Sequence, residues 1–428
     1  FAATDEVVWA LAVGEGERTV HVQWRDAAGN WSAVQRDTIT VDAPDTTYRT
    51  ITPVRLLDTR SDLPSGASRL TSGDPMRFMV AGRGGIPADA IAVTGNLTVT
   101  GQTAGGYVTL GPVVGPSPAT STINVPKGDT RANGVVVPLD RNGRLEAVYK
   151  GASGGSTAQL VLDVTGYFTA GDGGSRYTSV TPARFLDTRQ PSDATGGAPL
   201  SPRVPQAIEI GGRASGGVSI PADAVAVTGN LTVTGQTAGG YLSITPSAQA
   251  APATSSLNFP AGDTRANNVT VPLGSGGRAW VVYVGSGAAH AVLDITGYYR
   301  DGSDGLRWVP LAPARVLDSR SGLGRNGAFA EGTPGSVTVV NRGGIAGDAV
   351  ALTGNLTVTS QTRAGYASLT PTPDATPSTS TINFPTGDAR ANGVVSRVDA
   401  GTGKVSLTYI ARDGATTHLL LDVTGYFH

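Results

Sequence analysis

Hydrophobic and polar residues alternate with a period of two along most of this chain. The alternation is clear in Ala92–Val99, and shorter stretches at Leu145–Tyr149 and Leu160–Val164 share it. No window of helical length carries an apolar stripe with the helical period. Short strands separated by Gly, Pro, Asn and Asp at intervals of about ten residues are typical of an antiparallel β-sandwich or jelly roll. We therefore expect an all-β protein.

One sequence unit occurs three times, with Asp58, Asp187 and Asp318 at equivalent positions about 130 residues apart. In each copy the order is LDTR or LDSR, then IPADA or IAGDA, TGNLTVT, a GYVTL-like strand, GDTRAN or GDARAN, and LDVTGYF or LDITGYY. The spacing is longer than the 20–50 residues of solenoid repeats. Each copy is therefore predicted to be a domain of its own, with its first and last apolar strands side by side.

These motifs set the predicted module boundaries. The three β-sandwich or jelly-roll modules are expected at 48–168, 177–299 and 308–427. The eight-residue segments between them, 169–176 and 300–307, are rich in Gly and Asp, a composition that favours short flexible linkers. The sequence leaves open whether the modules are separate beads or pack around a pseudo-threefold axis.

Residues 1–47 carry a different pattern, in which alternating strands lie within Arg18–Ser32 and Asp37–Asp42. Asp26, Gly29 and Asn30 stand at the positions of a D-x-x-G-N turn. The segment resembles the C-terminal part of a bacterial immunoglobulin-like domain. This resemblance implies a partial Ig-like β domain that ends in a linker.

Composition narrows the functional classes. The 428 residues include 59 Gly and 27 Pro, which argues against helices. The 32 basic and 33 acidic residues leave a net charge of −1, so bulk electrostatics recruits neither nucleic acid nor an anionic membrane. No apolar run is long enough for membrane insertion, and the absence of Cys excludes disulfides, thiolate metal sites and Cys nucleophiles. The chain opens on Phe1 without a signal-peptide pattern, which suggests a piece of a longer protein.

A polar set of six residues recurs in all three copies. It consists of Asp58, Arg60, Asp129, Arg131, Asn133 and Asp163 in the first copy, Asp187, Arg189, Asp263, Arg265, Asn267 and Asp294 in the second, and Asp318, Arg320, Asp388, Arg390, Asn392 and Asp422 in the third. Charges inside apolar runs are costly to bury unless they are paired. We therefore expect an Asp–Arg lock that ties the first strand of each module to its last.

The same polar set also suits a ligand. Carboxylates and carbonyls are ligands for Ca²⁺, and Asp, Asn and Arg beside an aromatic ring can grip a glycan. The candidate aromatics are Tyr107, Tyr241 and Tyr366 in the GY strand, and Tyr167, Tyr298 and Tyr426 near the module ends. Paired carboxylates are also found in glycosidases, although a whole active site is rarely triplicated in one chain. No other metal or cofactor is expected.

The histidines form no catalytic pattern. They are His21, His290, His418 and His428, and the shared position of His290 and His418 is Gln159 in the first copy. A catalytic role would leave the first copy inactive, so we expect ordinary strand histidines. No nucleophile elbow, zinc-protease motif or P-loop occurs, and we expect no enzyme.

Four asparagines stand in N-x-T triplets: Asn96, Asn230, Asn268 and Asn355. Three of them lie in the same strand motif, so strand structure explains them better than glycosylation does.

The order of motifs resembles a repeat module of secreted and cell-surface proteins of high-G+C Gram-positive bacteria. The resemblance rests on LDTR, IPADA, NLTVT, the A-N of GDTRAN and the closing DVTGYF, and it covers 48–427. In that family the module is often tandem and C-terminal, next to amidase, hydrolase or Ig-like domains. The resemblance therefore implies secretion and a surface location, and it implies no defined activity.

We therefore expect a non-enzymatic, secreted, surface-associated array for adhesion or anchoring. Its expected partner is a cell-wall or extracellular polysaccharide, because three weak sites on one chain bind much more tightly than one. The alternative is a structural subunit of a stalk, filament or surface layer that associates with copies of itself.

Overall fold

The computed structural model describes residues 16–41, 45–64 and 66–428, and every helix-or-strand element in these ranges is a β-strand. The all-β fold predicted from the period-two pattern is confirmed. No helix in the described ranges is long and apolar enough to span a membrane.

The N-terminal segment forms a hairpin of β1 (Gly16–Val22) and β2 (Gln35–Val41). The predicted turn lies between them, where the Asp26 carboxylate accepts hydrogen bonds from the backbone and side-chain nitrogens of Asn30 at 2.8 and 3.0 Å. Gly29 has a φ of 92°, a conformation that favours glycine. Residues 1–15 of the predicted Ig-like segment lie outside the described residues.

The three copies of the repeat form three similar sets of strands. The first module contains β3 (Thr46–Asp58), β4 (Leu70–Thr71), β5 (Met76–Met79), β6 (Ala92–Thr100), β7 (Gly106–Gly111), β8 (Ile123–Val125), β9 (Arg131–Pro138), β10 (Arg144–Gly151) and β11 (Thr157–Ala170). The second contains β12 (Ser175–Asp187), β13 (Gln206–Glu209), β14 (Ala214–Ser215), β15 (Val218–Ser219), β16 (Ala224–Thr234), β17 (Gly240–Thr245), β18 (Leu257–Phe259), β19 (Arg265–Pro272), β20 (Arg278–Gly285) and β21 (His290–Asp301). The third contains β22 (Trp308–Asp318), β23 (Phe329–Ala330), β24 (Gly335–Thr338), β25 (Ala351–Thr359), β26 (Gly365–Thr370), β27 (Ile382–Phe384), β28 (Arg390–Arg397), β29 (Lys404–Ile410) and β30 (Thr416–Phe427).

Each module is a jelly roll of two antiparallel sheets. In the first module the strand orders are β3-β11-β6-β9 and β5-β10-β7-β8, and the other two modules repeat this arrangement. The first strand of each module pairs with its last, as the sequence predicts. Alternate residues of the two sheets face each other, so that each module encloses its own apolar core.

The connections between modules are shorter than the predicted eight-residue linkers. β11 continues to Ala170 and β12 begins at Ser175, which pairs with Tyr48 of the first module. Arg176 then donates hydrogen bonds to both carboxylate oxygens of Asp45 at 2.6 and 2.8 Å. Half of the segment 169–176 is therefore strand, and contacts with the first module hold its second end.

The connection between the second and third modules is also shorter than the predicted linker. β21 continues to Asp301, and within the predicted linker Leu306 exchanges backbone hydrogen bonds with Tyr177 at 2.7 and 3.0 Å. Arg307 exchanges backbone hydrogen bonds with His428. The segment 300–307 is thus bonded to two modules, and the three jelly rolls form a continuous body.

A fourth apolar cluster joins all three modules. Each of its three stacked pairs combines a ring at the start of one module's first strand with a ring at the end of another module's last strand. The pairs are Tyr48 with Tyr299 at 4.1 Å, Tyr177 with Phe427 at 4.1 Å and Trp308 with Phe168 at 4.8 Å between ring centroids. The contacts run from the first module to the second, from the second to the third and from the third to the first. The modules are therefore arranged cyclically around a pseudo-threefold axis.

Candidate functional site

Part of the recurring polar set forms a lock in each module, although its central member is an arginine outside that set. In the first module Arg55, on β3, donates hydrogen bonds to both carboxylate oxygens of Asp163, on β11, at 2.8 and 3.1 Å. Arg55 also contacts Asp58 at 3.3 Å. Arg60 bonds Asp58 at 2.8 and 2.7 Å and does not reach the last strand. The first and last strands are therefore joined by Arg55 and not by Arg60.

The other two modules repeat this chain of charges. Arg184 bonds Asp294 at 2.9 and 3.3 Å, and Arg315 bonds Asp422 at 2.7 and 3.0 Å. The carboxylate of Asp187 is paired with Arg189, and that of Asp318 with Arg320. All three locks thus use two aspartates and two arginines.

The two aspartates of a lock differ in their electrostatics. Burial raises the pKa of Asp163, which is 1% exposed, and the hydrogen bonds and charge of Arg55 only partly oppose this effect. At Asp58 the hydrogen bond from Arg60 outweighs burial and lowers the pKa. Each lock therefore holds one carboxyl with a raised pKa beside another with a lowered pKa.

The second part of the polar set lies on the axis and joins the modules. Arg265 bridges Asp263 of its own module at 2.8 Å and Asp129 of the first module at 2.6 Å. Arg390 likewise bridges Asp388 at 2.7 Å and Asp263 at 2.8 Å. Arg131 completes the ring by pairing with both Asp129 and Asp388. This charge ring contains three aspartates and three arginines.

The charge ring is internally neutralised. The three arginine side chains are 5–6% exposed, and the aspartates are 16–20% exposed. Burial alone would raise the pKa of Asp263, but hydrogen bonds and charge from Arg390 and Arg265 outweigh it and lower that pKa. Because every arginine contacts two aspartates, little of the ring's charge is left for an external ligand.

Asparagines form a second cyclic network between the modules. Asn267 donates to the side-chain oxygen of Asn96 at 2.8 Å, Asn392 to that of Asn230 at 2.9 Å and Asn133 to that of Asn355 at 2.9 Å. Asn96, Asn230 and Asn355 also donate to backbone carbonyls of the neighbouring module, namely those of Ser255, Ser380 and Ser121. These three asparagines are 6–7% exposed, as is Asn268 at 6%. Their burial explains the N-x-T triplets through packing between modules.

The GY-strand tyrosines occupy similar environments in the three modules. Tyr107, Tyr241 and Tyr366 are half-buried. Their hydroxyls donate to the backbone carbonyls of Pro118, Pro252 and Pro377 at 3.4, 3.4 and 3.1 Å. Each ring is therefore held against a loop of its own module, and glycan stacking on these rings stays a prediction.

The two strand histidines pair with hydroxyls. His290 lies 3.0 Å from the Thr188 oxygen, and His418 lies 3.0 Å from that of Ser319. Ser319 is 1% exposed, and its hydroxyl oxygen also accepts the backbone N–H of Leu419 at 3.1 Å. This burial makes Ser319 a poor nucleophile for an external substrate.

Crevices at the three module interfaces are lined by residues of the locks and of the asparagine network. Asp163 and Asn96 line the first, Asp294 and Asn230 the second, and Asp422 and Asn355 the third. Their voids measure only about 20–30 Å³, which is room for about one or two water molecules. A sugar ring does not fit these voids.

In the described part of the chain, no three or more His, Asp or Glu side chains are grouped so that they could hold a metal ion. The Asp residues predicted from the sequence as candidate Ca²⁺ ligands lie beside Arg guanidinium groups, which take the place that a cation would occupy.

Sequence reasoning missed Arg55, Arg184 and Arg315, although a signal was present. Each stands three residues before the Asp of LDTR or LDSR, so an arginine recurs at this position in all three copies. The inter-module role of Asp129, Arg131 and their counterparts had no such signal, because a repeat shows which residues recur and not which module they contact.

Comparisons with known proteins give little further information. No protein-family model and no curated protein matches the chain. Among solved structures, one similar chain is described as "The Triple Jelly Roll Fold and Turret Assembly in an Archaeal Virus". The two share 7% identity over 97% of this chain and 90% of the viral chain, with a TM-score of 0.17.

Proposed function

We propose that this chain is a non-enzymatic architectural unit of a secreted or cell-surface protein. In this role it holds three jelly rolls as one rigid body and presents their outer loops for adhesion or assembly. The observation that carries the proposal is the closed charge ring, in which Arg131, Arg265 and Arg390 each bridge two modules.

The residues that recur in all three copies support an architectural role over a triplicated binding site. Asp163 and its counterparts form ion pairs with arginines of the same module. Asn133 and its counterparts donate hydrogen bonds to asparagines of a neighbouring module. Recurrence is thus explained by three equivalent locks and three equivalent interfaces. Anchoring through a polysaccharide would have to use other surfaces.

Cyclic closure also favours a discrete particle over a filament. A head-to-tail interface generates an open fibre when its rotation does not close, and a ring when it does. Here the third module returns to the first through the Arg131–Asp388 pair, so the complementary surfaces are used within one chain. We therefore expect the full chain to be a monomer.

Spin labelling of the full chain tests the rigid-body proposal, because the sequence contains no Cys and each introduced thiol is unique. Val113, in the first module, is 68% exposed, and Val204, in the second, is 57% exposed. A chain with Val113→Cys and Val204→Cys should give a narrow distance distribution by double electron–electron resonance. The matched control is Val113→Cys with Lys127→Cys, where both labels lie in the first module.

A distribution between modules as narrow as the control supports the proposal. A broad distribution would mean that the modules move as beads, and the architectural role would then be wrong. Light scattering on the unlabelled chain should give a mass near 43.3 kDa, whereas fibres would favour the self-assembling alternative.

A further inference from the structure

The second module contains a pocket that neither the locks nor the charge ring uses. It has a volume of about 260 Å³, roughly ten times that of an interface crevice. Its apolar floor includes Phe185, Leu186 and Ile208, and its rim includes Asp193 and Arg213. The volume lies just below the usual range for drug-sized ligands, so it suits a molecule of about monosaccharide size.

The pocket opens because the loop after the LDTR motif folds differently in this module. In the first and third modules this loop turns back, and the backbone N–H groups of Asp58 and Asp318 donate to the carbonyls of Leu63 and Leu323 at 2.7 and 2.9 Å. In the second module the N–H of Asp187 donates instead to the Asp193 carboxylate. A side-chain acceptor thus replaces a backbone acceptor, and the loop does not turn back onto the strand as it does in the other two modules.

In the third module the loop itself fills the equivalent space. A Cβ atom on Gly324 would lie 3.3 Å from Val337 and would overlap the carbonyl oxygen of Val316, so the loop packs directly on β22 and β24. Ile208 and Phe185 are the counterparts of Val337 and Val316 in the second module. There the corresponding gap is the pocket.

Arg213 supplies the free charge at the rim. One of its terminal nitrogens donates to the carbonyls of Phe185 and Glu209 at 2.8 and 3.3 Å. Its guanidinium carbon lies 5.5 Å from the centroid of the Phe185 ring. These contacts fix the orientation of the guanidinium, and within the described ranges no carboxylate forms an ion pair with it.

The acidic groups of the pocket are already engaged. Glu209 forms an ion pair with Arg278 at 2.7 Å, and the two oxygens of Asp193 accept the backbone N–H groups of Asp187 and Ala194. The charged group of the pocket that remains unpaired is therefore the Arg213 guanidinium, whose remaining edge is shaped to bind a carboxylate through two parallel hydrogen bonds.

We propose that this pocket binds a small carboxylate of monosaccharide size, namely a uronic acid residue, free or at the end of an acidic polysaccharide. Arg213 binds the carboxylate, and the apolar floor contacts the C–H groups of the ring. The first and third modules lack the open loop, so the full chain has one such site. This proposal is independent of the rigid-body role, which the spin-label distances test separately.

Isothermal titration of the full chain with D-glucuronate tests the proposal, with D-glucose and acetate as comparison probes. Glucuronate should bind saturably at one site per chain, and at least tenfold more tightly than glucose, which lacks the carboxylate, or acetate, which lacks the ring. A glucuronate oligosaccharide that binds more tightly than the monosaccharide would identify a polysaccharide end as the source. Equal binding would identify the free acid.

Three variants connect the binding to this pocket. Arg213→Met should weaken glucuronate binding at least tenfold, whereas Arg342→Met, at the corresponding loop of the third module, should leave it unchanged. Ala207→Leu, which retains Arg213 but fills the void from its wall, should also weaken binding, and this variant covers the case in which Arg213→Met does not fold. The proposal is overturned if glucuronate does not bind, if glucose binds equally well, or if Arg213→Met and Ala207→Leu both fold and bind normally.

Discussion

Replacing Tyr299 with Phe is expected to stabilise the protein. Tyr299 is 1% exposed in the aromatic cluster on the axis, and its hydroxyl has no hydrogen-bond partner. Burial, with the nearby Tyr48 and Tyr177, raises its pKa well above the usual value, so the hydroxyl stays protonated and its polarity is unsatisfied. The equivalent residues of the other modules, Phe168 and Phe427, have no hydroxyl at this point.

The magnitude follows from the balance of two effects. A buried polar group without a partner costs about 1–3 kcal/mol. Removing the oxygen also leaves a small gap, and the lost van der Waals contacts offset part of this gain in stability. We therefore expect a net stabilisation of about 1 kcal/mol, or a rise in Tm of about 2 °C for a chain of this size. Stacking on Tyr48 at 4.1 Å is retained, because the ring is unchanged.

Tyr177→Phe is the matched control. Its hydroxyl is also buried, but it lies 2.8 Å from the Thr228 hydroxyl and 3.3 Å from the Thr296 carbonyl. Removing it should cost about 1 kcal/mol. Calorimetry and urea unfolding of both variants should therefore give shifts of opposite sign. If Tyr299→Phe destabilises the protein as much as Tyr177→Phe does, then the Tyr299 hydroxyl has a partner and the reasoning is wrong.

Three further changes test the locks and the axis. Gly393→Ala should lower the free energy of unfolding by about 3 kcal/mol, because its Cβ would overlap the Gly134 carbonyl of another module. Asn268→Gly, at the equivalent position, should lower it by only about 1 kcal/mol. Equal losses would contradict this close approach. Arg55→Met should lower the free energy of unfolding by about 3 kcal/mol, because it leaves Asp163 buried without its partner. Adding Asp163→Leu should recover much of this loss. No recovery would show that the loss does not come from the broken Arg55–Asp163 pair. Because the pKa of Asp263 is lowered from 3.8, its contribution to stability is present above that value and is lost as the pH falls through the folded pKa. Acid unfolding of Asp263→Asn should therefore depend less on pH below about 4 than that of the wild type, and parallel curves would contradict the assignment.

Much of each module could be predicted from the sequence, because period-two alternation and recurring motifs report on contacts within one repeat. The pairing of first and last strands follows from two apolar runs at the ends of each copy. An Asp–Arg lock between the first and last strands could also be predicted, since an aspartate within an apolar strand needs a cationic partner. Its member Arg55 does not follow from the motifs, because it lies just outside the recurring LDTR.

The contacts between modules could not be predicted in the same way. Asn96 alternates with apolar neighbours as any strand residue does, and nothing in this pattern tells whether water or the next module covers it. Gly166 and its counterparts at Gly297 and Gly425 lie inside the last strands, where a Cβ would overlap the Tyr48, Tyr177 and Trp308 side chains. A turn glycine and a glycine beneath an aromatic ring look alike in a sequence.

The departures from threefold symmetry explain what a single chain gains over three identical subunits. At the axis, Cβ atoms on Gly134 and Gly393 would overlap neighbouring carbonyls, whereas Asn268 fits at the third position and donates to the Gly229 carbonyl at 3.1 Å. Three copies of the second module would bring three Asn side chains to a point that accommodates one. A covalent array avoids this conflict, since each module can differ while the ring of Asp and Arg stays complete. The same freedom allows the second module alone to replace the backbone acceptor of its loop with Asp193 and to open the pocket at Arg213.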